Sequence, residues 1–299
     1  MRPQSAPPAD DAEPGAHALP LPPCLNRATR TDLEATKVPL FPGAARAYRE
    51  FRPSLPEDAV ALLTDTVHGT PRPVLLDLGT GTGQVPAALH QAFTRVDVVE
   101  RDPEMIAEAE KALRPLMRDK PLGVHACPAE EFTAPYPGYQ AHLVTCCRAF
   151  HWMPQDQVLS VIDEVAAPNA VVAVMGDGSL WTARNAWTDA LRALIQAYLG
   201  PERRAGTEGT YTQPRRRYEE VLADSPFCRI EEHVLPVVRR WTPDQVVGYL
   251  ASTSFAADQL FGDQLAAFQA QALELLERHA VNGDLTENAE FTILLASRP

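Results

Sequence analysis

Residues 73–85 read PVLLDLGTGTGQV. Val74, Leu75, Leu76 and Leu78 are apolar on both faces of an extended chain, the pattern of a central parallel strand covered on both sides. Gly79, Gly81 and Gly83 then remove every β-carbon from a tight turn, with Thr80 between the first two, so a ligand can approach the backbone closely. From Gln84 to about Phe93 the pattern predicts a helix whose first amide groups point at whatever the turn holds. Strand, glycine turn and helix in this order form the entry to a nucleotide-type ligand site.

The spacing narrows the ligand. The dinucleotide fingerprint G-x-G-x-x-G would place its third glycine at position 84, where this chain has Gln84. Here the spacing is G-x-G-x-G, and Asp77 lies two residues before the first glycine. A carboxylate at the mouth of the turn repels a pyrophosphate and suits a ligand with an ammonium group and no phosphate. S-adenosylmethionine, a zwitterionic amino acid joined to adenosine through a cationic sulfonium, meets that description. A glycine turn used only for packing is the competing reading; the acid, the spacing and the flanking elements speak together against it.

With 299 residues the chain can hold one large domain or two small ones. Its 45% hydrophobic and 22% charged content are those of a globular protein with a real core. The net charge of −12 argues against non-specific nucleic-acid binding, which needs a basic face. No apolar run approaches the roughly 18 residues of a membrane span. Five cysteines without paired spacing suggest neither a disulfide framework nor a metal site, and Cys146 and Cys147 read as core thiols. Together these features predict a cytoplasmic protein without a metal. Residues 1–34 are rich in proline and poor in anything to bury, and predict a disordered or extended arm. Such an arm could also pack over the site or a partner subunit.

The remainder, 35–299, reads as one domain. FPGAARAYREFRPSLP (41–56) predicts a short helix stopped by Pro53, and a second helix covers about 57–67. Strands are expected at 96–100, near 122–126, at 142–147 and at 170–175, with helices opened by Asp102-Pro103 and at about 154–167. This alternation predicts an α/β fold: a doubly wound, mostly parallel, seven-stranded Rossmann-like sheet with its ligand at the strands' carboxyl ends. A helix at about 183–198 precedes an arginine-rich loop, 201–217. Strands at 229–239 and 290–297 predict an antiparallel pair at the sheet edge. Between them lie helices at about 243–254 and 256–280. The segments at about 41–67 and 240–281 are expected to form a helical cap over the crevice.

Glu100 ends the second strand twenty-one positions beyond Gly79, at the spacing where an acid takes ribose hydroxyls. Arg101 follows and could flank an adenine. Glu130 and Glu131 follow the third strand, where an acid can accept from the adenine amino group; a solvated or helix-capping pair is the alternative.

LLDLGTGTGQV, VVERDPEM, PAEEF and LVTCCRAFHWMP together resemble the class I S-adenosylmethionine-dependent methyltransferases, and in particular a small-molecule branch with a Phe-His-Trp run after the fourth strand. The likeness is collinear from about residue 41 to the end, and RRWTPDQVVGYLASTSF resembles that branch's C-terminal part. It implies that Asp77, Gly79, Thr80, Gly81 and Gly83 hold the methionine portion, Glu100 the ribose and Glu130 the adenine. The chain departs from the family pattern at two places. His142 stands where an acid is usual before the fourth strand, and AAPNAV replaces a proline-glycine-glycine turn before the fifth. Asn169 can adopt a positive φ angle, which predicts that this turn survives.

Methyl transfer needs an aligned acceptor, a water-free site and, for a hydroxyl acceptor, a destination for one proton. His151 lies at the end of the fourth strand, where an acceptor should meet the methyl group, and is the candidate base. The alternative is that His151 and Trp152 only shape the pocket. Arg148 is a candidate cofactor or acceptor contact and could equally pair with Asp177. Tyr48, Arg52, Trp181, Arg184 and Tyr211 lie in segments that should surround the crevice. The expected reaction is methylation of a small organic acceptor, first at oxygen, with nitrogen or carbon as the alternative acceptor atoms, in a biosynthetic role such as secondary metabolism. A protein that binds the cofactor without methylating, as a scaffold or a shape-guided rearrangement catalyst, is the second reading. A nicotinamide oxidoreductase is the third, disfavoured by Gln84 and Asp77. The oligomeric state is not legible.

Overall fold

The computed structural model describes residues 43–206, 209–211 and 216–299. The proline-rich arm, the first two residues of the 41–67 segment and part of the arginine-rich loop lie outside them. Seven strands form one sheet in the order β3-β2-β1-β4-β5-β7-β6. β1 (Val74–Leu78), β2 (Arg95–Glu100), β3 (Leu122–Ala126), β4 (Ala141–Cys147) and β5 (Ala166–Asp177) run parallel. β7 (Leu285–Ser297) is antiparallel to both its neighbours, β5 and β6 (Arg229–Trp241), and β6 forms the edge. The strand order reverses between β1 and β4, so a crevice opens at their carboxyl ends.

Period-two alternation decides what each strand residue meets. In β1, Val74, Leu76 and Leu78 enter a cluster with α5 (Gln155–Val165) and α7 (Tyr218–Ala223). Leu75 enters the opposite cluster, with α2 (Glu57–Asp65), α3 (Gln84–Leu89) and α4 (Pro103–Leu116). Asp102 caps α4 through Glu104 N–H and Met105 N–H, with Pro103 in the first turn, as the sequence predicts. The predicted helix to Phe93 instead tightens into a 3₁₀ turn at His90–Ala92.

A third cluster builds the cap. α6 (Ala186–Leu199), α8 (Pro243–Ala251) and α9 (Leu265–His279) bury Trp187, Leu191, Leu250, Phe268 and Leu276 against one another, and Phe51 of α1 (Ala45–Phe51) joins them. α2 is not part of this roof: Ala59 and Leu63 pack on the sheet, and α6 takes its place. α1 crosses α8 at Gly248, where a β-carbon would lie 2.5 Å from the Phe51 ring. The predicted helix 256–280 is interrupted, because Gly262 has φ +52° and parts the 3₁₀ turn Asp258–Leu260 from the turn Gly262–Gln264 that leads into α9. α8 ends early because Ser252 and Thr253 hydroxyls donate to the Tyr249 and Leu250 carbonyls.

The expected turn at Asn169 does not form. No positive φ occurs there; the chain passes directly from α5 into β5, and a register shift against β4 between Ala141 and Leu143 absorbs the extra residues. β7 begins five residues before the predicted strand. Residues 285–290 extend beyond β5 and pair with β6 alone, which carries Glu287 opposite Arg239 into the cap.

Candidate functional site

The turn after β1 is held from below and from the side. Gly79, Gly81 and Gly83 have φ of +64°, +54° and +80°. The Gly79 and Thr80 amides donate to the Val99 carbonyl, and the Gly81 amide donates to Glu100 Oε2 at 2.9 Å. Glu100 Oε1 accepts from the amides of Arg101 and Asp102. One carboxylate thus binds the ends of β1 and β2 together and keeps lone pairs for further hydroxyl donors. Burial raises its pKa against the pull of these three amides.

Asp77 lies beneath the turn, 1% exposed. Its Oδ2 accepts from the Thr80 hydroxyl and its Oδ1 from the Thr145 hydroxyl, both at 2.6 Å. Desolvation raises its pKa to about 7. Thr82, fully buried in the same turn, has a hydroxyl with no partner among the described residues.

The loop after β4 closes on this turn. Arg148 adopts φ +57°, a costly conformation for a residue with a β-carbon, and its amide donates to the Met175 carbonyl. The kink brings Ala149 and Met153 against Gly79, where an added β-carbon would lie 2.7 Å from Ala149 Cβ and 2.8 Å from Met153 Cε. His151 and Trp152 stand in the 3₁₀ turn Phe150–Trp152 between these contacts, their ring centroids 4.7 Å apart. Burial, reinforced by the Arg203 charge, pushes His151 down to about 4.

Arg148 itself turns away from the glycines. Its guanidinium donates to both Asp177 oxygens, at 2.6 and 3.0 Å, and to the Pro53 carbonyl. Arg239 also pairs with Asp177, and reaches Glu287, which accepts from Trp241 Nε1. These groups, with Arg52 and Tyr249, line a cavity of about 10 Å³, room for one water. Burial opposes the Asp177 charge, yet Arg148 and Arg239 hold its carboxyl below the usual range.

The roof comes from α1 and the cap. The Tyr48 ring lies over Gly81, 3.7 Å from where a β-carbon would stand. Arg52 donates to Ser252 Oγ, Tyr249 Oη and the Ser252 carbonyl, and stacks on the Tyr48 and Tyr249 rings. Gln84, at the position of the missing third dinucleotide glycine, donates to the Arg52 carbonyl and ties α3 to α1. The Tyr211 ring lies 6.4 Å from His151, and Trp181 packs on Phe255. Arg184 is exposed and turns to the carbonyls of Trp181 and Ala183. Arg101 and Glu131 are exposed, and Glu130 is half-buried in the 3₁₀ turn after β3. His142 Nδ1 accepts from the Val74 amide at 3.2 Å, so a ring nitrogen makes a bond available to the usual acid; burial lowers its pKa and favours this neutral, accepting form.

Arg203, Thr82 and the Asp177–Arg239–Glu287 network were not predicted. Arg203 is one of two adjacent arginines in a loop with five, and nothing local distinguishes it.

Residues 75–169 match the family described as a methyltransferase domain. The chain carries a class I S-adenosylmethionine-dependent methyltransferase domain. Uncharacterized methyltransferases of Mycobacterium bovis and Mycobacterium tuberculosis are 26% identical over 218 residues, 72% of this chain and 76% of theirs. In fold, the methyltransferase is similar to "a putative type II methyltransferase" from Anaeromyxobacter dehalogenans, with a TM-score of 0.55, 22% identity, and coverage of 83% of this chain and 98% of that one. Its cofactor is S-adenosylmethionine. The site fits that group: a glycine turn without β-carbons, an orphaned Thr82 hydroxyl within it, and a Glu100 carboxylate at its rim. Among the described residues, no cluster of three or more His, Cys, Asp or Glu is placed to hold a metal, and no helix is long and apolar enough to cross a membrane.

Proposed function

We propose that this methyltransferase methylates an oxygen of a small organic acceptor held between the loop after β4 and the cap. The observation that supports the reading is the close approach to Gly79 of Ala149 and Met153, the residues two before and two after His151. In this reading the glycine turn, with Asp77 beneath it, takes the methionine portion of the cofactor, Glu100 the ribose, and Glu130 the adenine. When bound, S-adenosylmethionine supplies a methyl group on a cationic sulfur that departs as a neutral thioether. The protein's task is alignment and exclusion of water, worth about 7–11 kcal/mol of barrier when the fit is close. Tyr48 and α1 cover the turn and exclude solvent from it.

His151, with its pKa near 4, is neutral at physiological pH and carries a nitrogen lone pair that can take a proton. A base so weak serves an acidic hydroxyl well and an aliphatic alcohol poorly. Acceptors of this kind suit a biosynthetic role such as secondary metabolism.

Calorimetry with S-adenosylhomocysteine tests the cofactor site; absence of binding would remove the reading. H151A then tests the base. It should lower kcat about 10²–10⁴-fold while cofactor affinity holds. The parent's kcat at saturating cofactor should be flat in pH above about 5, since His151 is already deprotonated there. Unchanged turnover in H151A would reduce His151 to a pocket wall.

A further inference from the structure

The interior arginines divide into two kinds. Arg148 and Arg239 face carboxylates, those of Asp177 and Glu287. Arg203 has no carboxylate partner among the described residues, and its Nε is buried without an acceptor. Its electrostatic neighbours are the Tyr211 and Tyr249 phenols and a second cation, Arg52. Arg52 likewise has no carboxylate partner among the described residues, but neutral oxygens of Tyr249 and Ser252 take its donors.

Arg203 is firmly placed. Its carbonyl accepts from the Tyr211 amide, the neighbouring Ala205 amide donates to Gly209, and Gly206 is tied to the Ser254 carbonyl of the cap. The guanidinium lies over the Tyr211 ring at 4.1 Å and the Phe255 ring at 5.5 Å. Such faces stabilise a cation by about 0.5–2 kcal/mol but do not neutralise it. A partly desolvated guanidinium with an unused N–H is short of an anion. Beyond Tyr211 lies His151, and beyond Phe255 lies Trp181 at 5.4 Å. The unmatched charge therefore sits in a run of aromatic rings that ends at the candidate base. The Arg203 field already reaches that imidazole.

We propose that Arg203 is the charge partner of the methyl acceptor, and that the acceptor is a small aromatic carboxylate. Its ring lies among Tyr211, Phe255 and Trp181, its carboxylate meets the guanidinium fork, and its acceptor oxygen faces His151. The inference rests on the methyl-transfer reading above and adds the acceptor's charge and shape to it.

Benzoate and benzamide, alike in size and different in charge, are titrated into the full chain saturated with S-adenosylhomocysteine. Calorimetry gives affinity, and the His151 imidazole NMR signals report the location. Benzoate should bind at least about tenfold more tightly than benzamide and shift those signals. R203Q should erase the preference and bind S-adenosylhomocysteine as the parent does; R203K, which keeps the charge and loses the fork, should retain part of it. Equal affinity for the two probes, binding by neither, benzoate binding that leaves His151 unmoved, or a preference that survives R203Q overturns the assignment. Should R203Q not fold, the comparison in the parent chain decides alone. Failure of the parent to bind S-adenosylhomocysteine is the separate result that removes the methyl-transfer reading, and this acceptor site with it.

Discussion

Asp77 shows how far a single residue's chemistry departs from its position in the chain. The spacing places an acid at the mouth of the turn, whereas the fold places it beneath, with both oxygens taken by the Thr80 and Thr145 hydroxyls. Its raised pKa has a sign that can be tested. An acid whose folded pKa lies above its usual 3.8 costs the apo protein stability as pH rises from about 4 to about 7, up to about 4 kcal/mol. D77N should therefore stabilise the apo protein at pH 8 in urea denaturation. A nearby ammonium lowers the Asp77 pKa, so cofactor binding below pH 7 should release a proton and strengthen as pH rises. Titrations in buffers of different ionisation enthalpy measure that release, which Glu100, the neighbouring acid, shares in part. No proton release in the parent, or the same release in D77N, would remove Asp77 from cofactor recognition. The glycines and Glu100 were legible because strand, turn and acid are local features. Thr82 and Arg203 were not, since an orphaned donor exists only once every neighbour is placed.

At the scale of elements, α1 behaves as a clasp between the turn and the cap. Tyr48 covers Gly81, Gln84 holds the Arg52 carbonyl, and the Arg52 guanidinium grips the end of α8. The helix has seven residues, too few to be stable alone, so these contacts hold it in place. R52Q should speed amide hydrogen exchange across Ala45–Phe51 and weaken cofactor binding about tenfold, chiefly through a faster off-rate. Unchanged exchange there would show that α1 is held by the Phe51–Gly248 contact instead. The helix itself was readable, from Pro53 as its stop. Its partner was not, because α8 lies some two hundred positions away, a separation no local pattern encodes.

For the molecule as a whole, charge ties together the strand ends on which the cap rests. Asp177 at the end of β5 pairs with Arg148 after β4 and Arg239 on β6, and Glu287 on β7 holds Arg239 and Trp241. The Arg148 and Asp177 side chains are only 10% and 6% exposed. Removing one partner strands the others in a poor solvent for ions. D177A should cost about 3–5 kcal/mol of unfolding free energy. A loss below about 1 kcal/mol would class the network with surface pairs. Because the Asp177 pKa is lowered, its contribution is present above its usual 3.8 and fades as pH falls through the folded value, so the parent and D177A should converge in acid.

The amino-acid sequence by itself determined the parallel sheet, the glycine turn, the identity of the cofactor and the position of His151. These follow from periodicity and from residues a few positions apart, whose interactions hold in any fold that contains them. Only the tertiary structure decided which helices roof the site, that Arg148 serves Asp177, and that Arg203 meets no acid among the described residues. Burial and charge balance depend on residues brought together from distant parts of the chain, and those sums exist only in three dimensions.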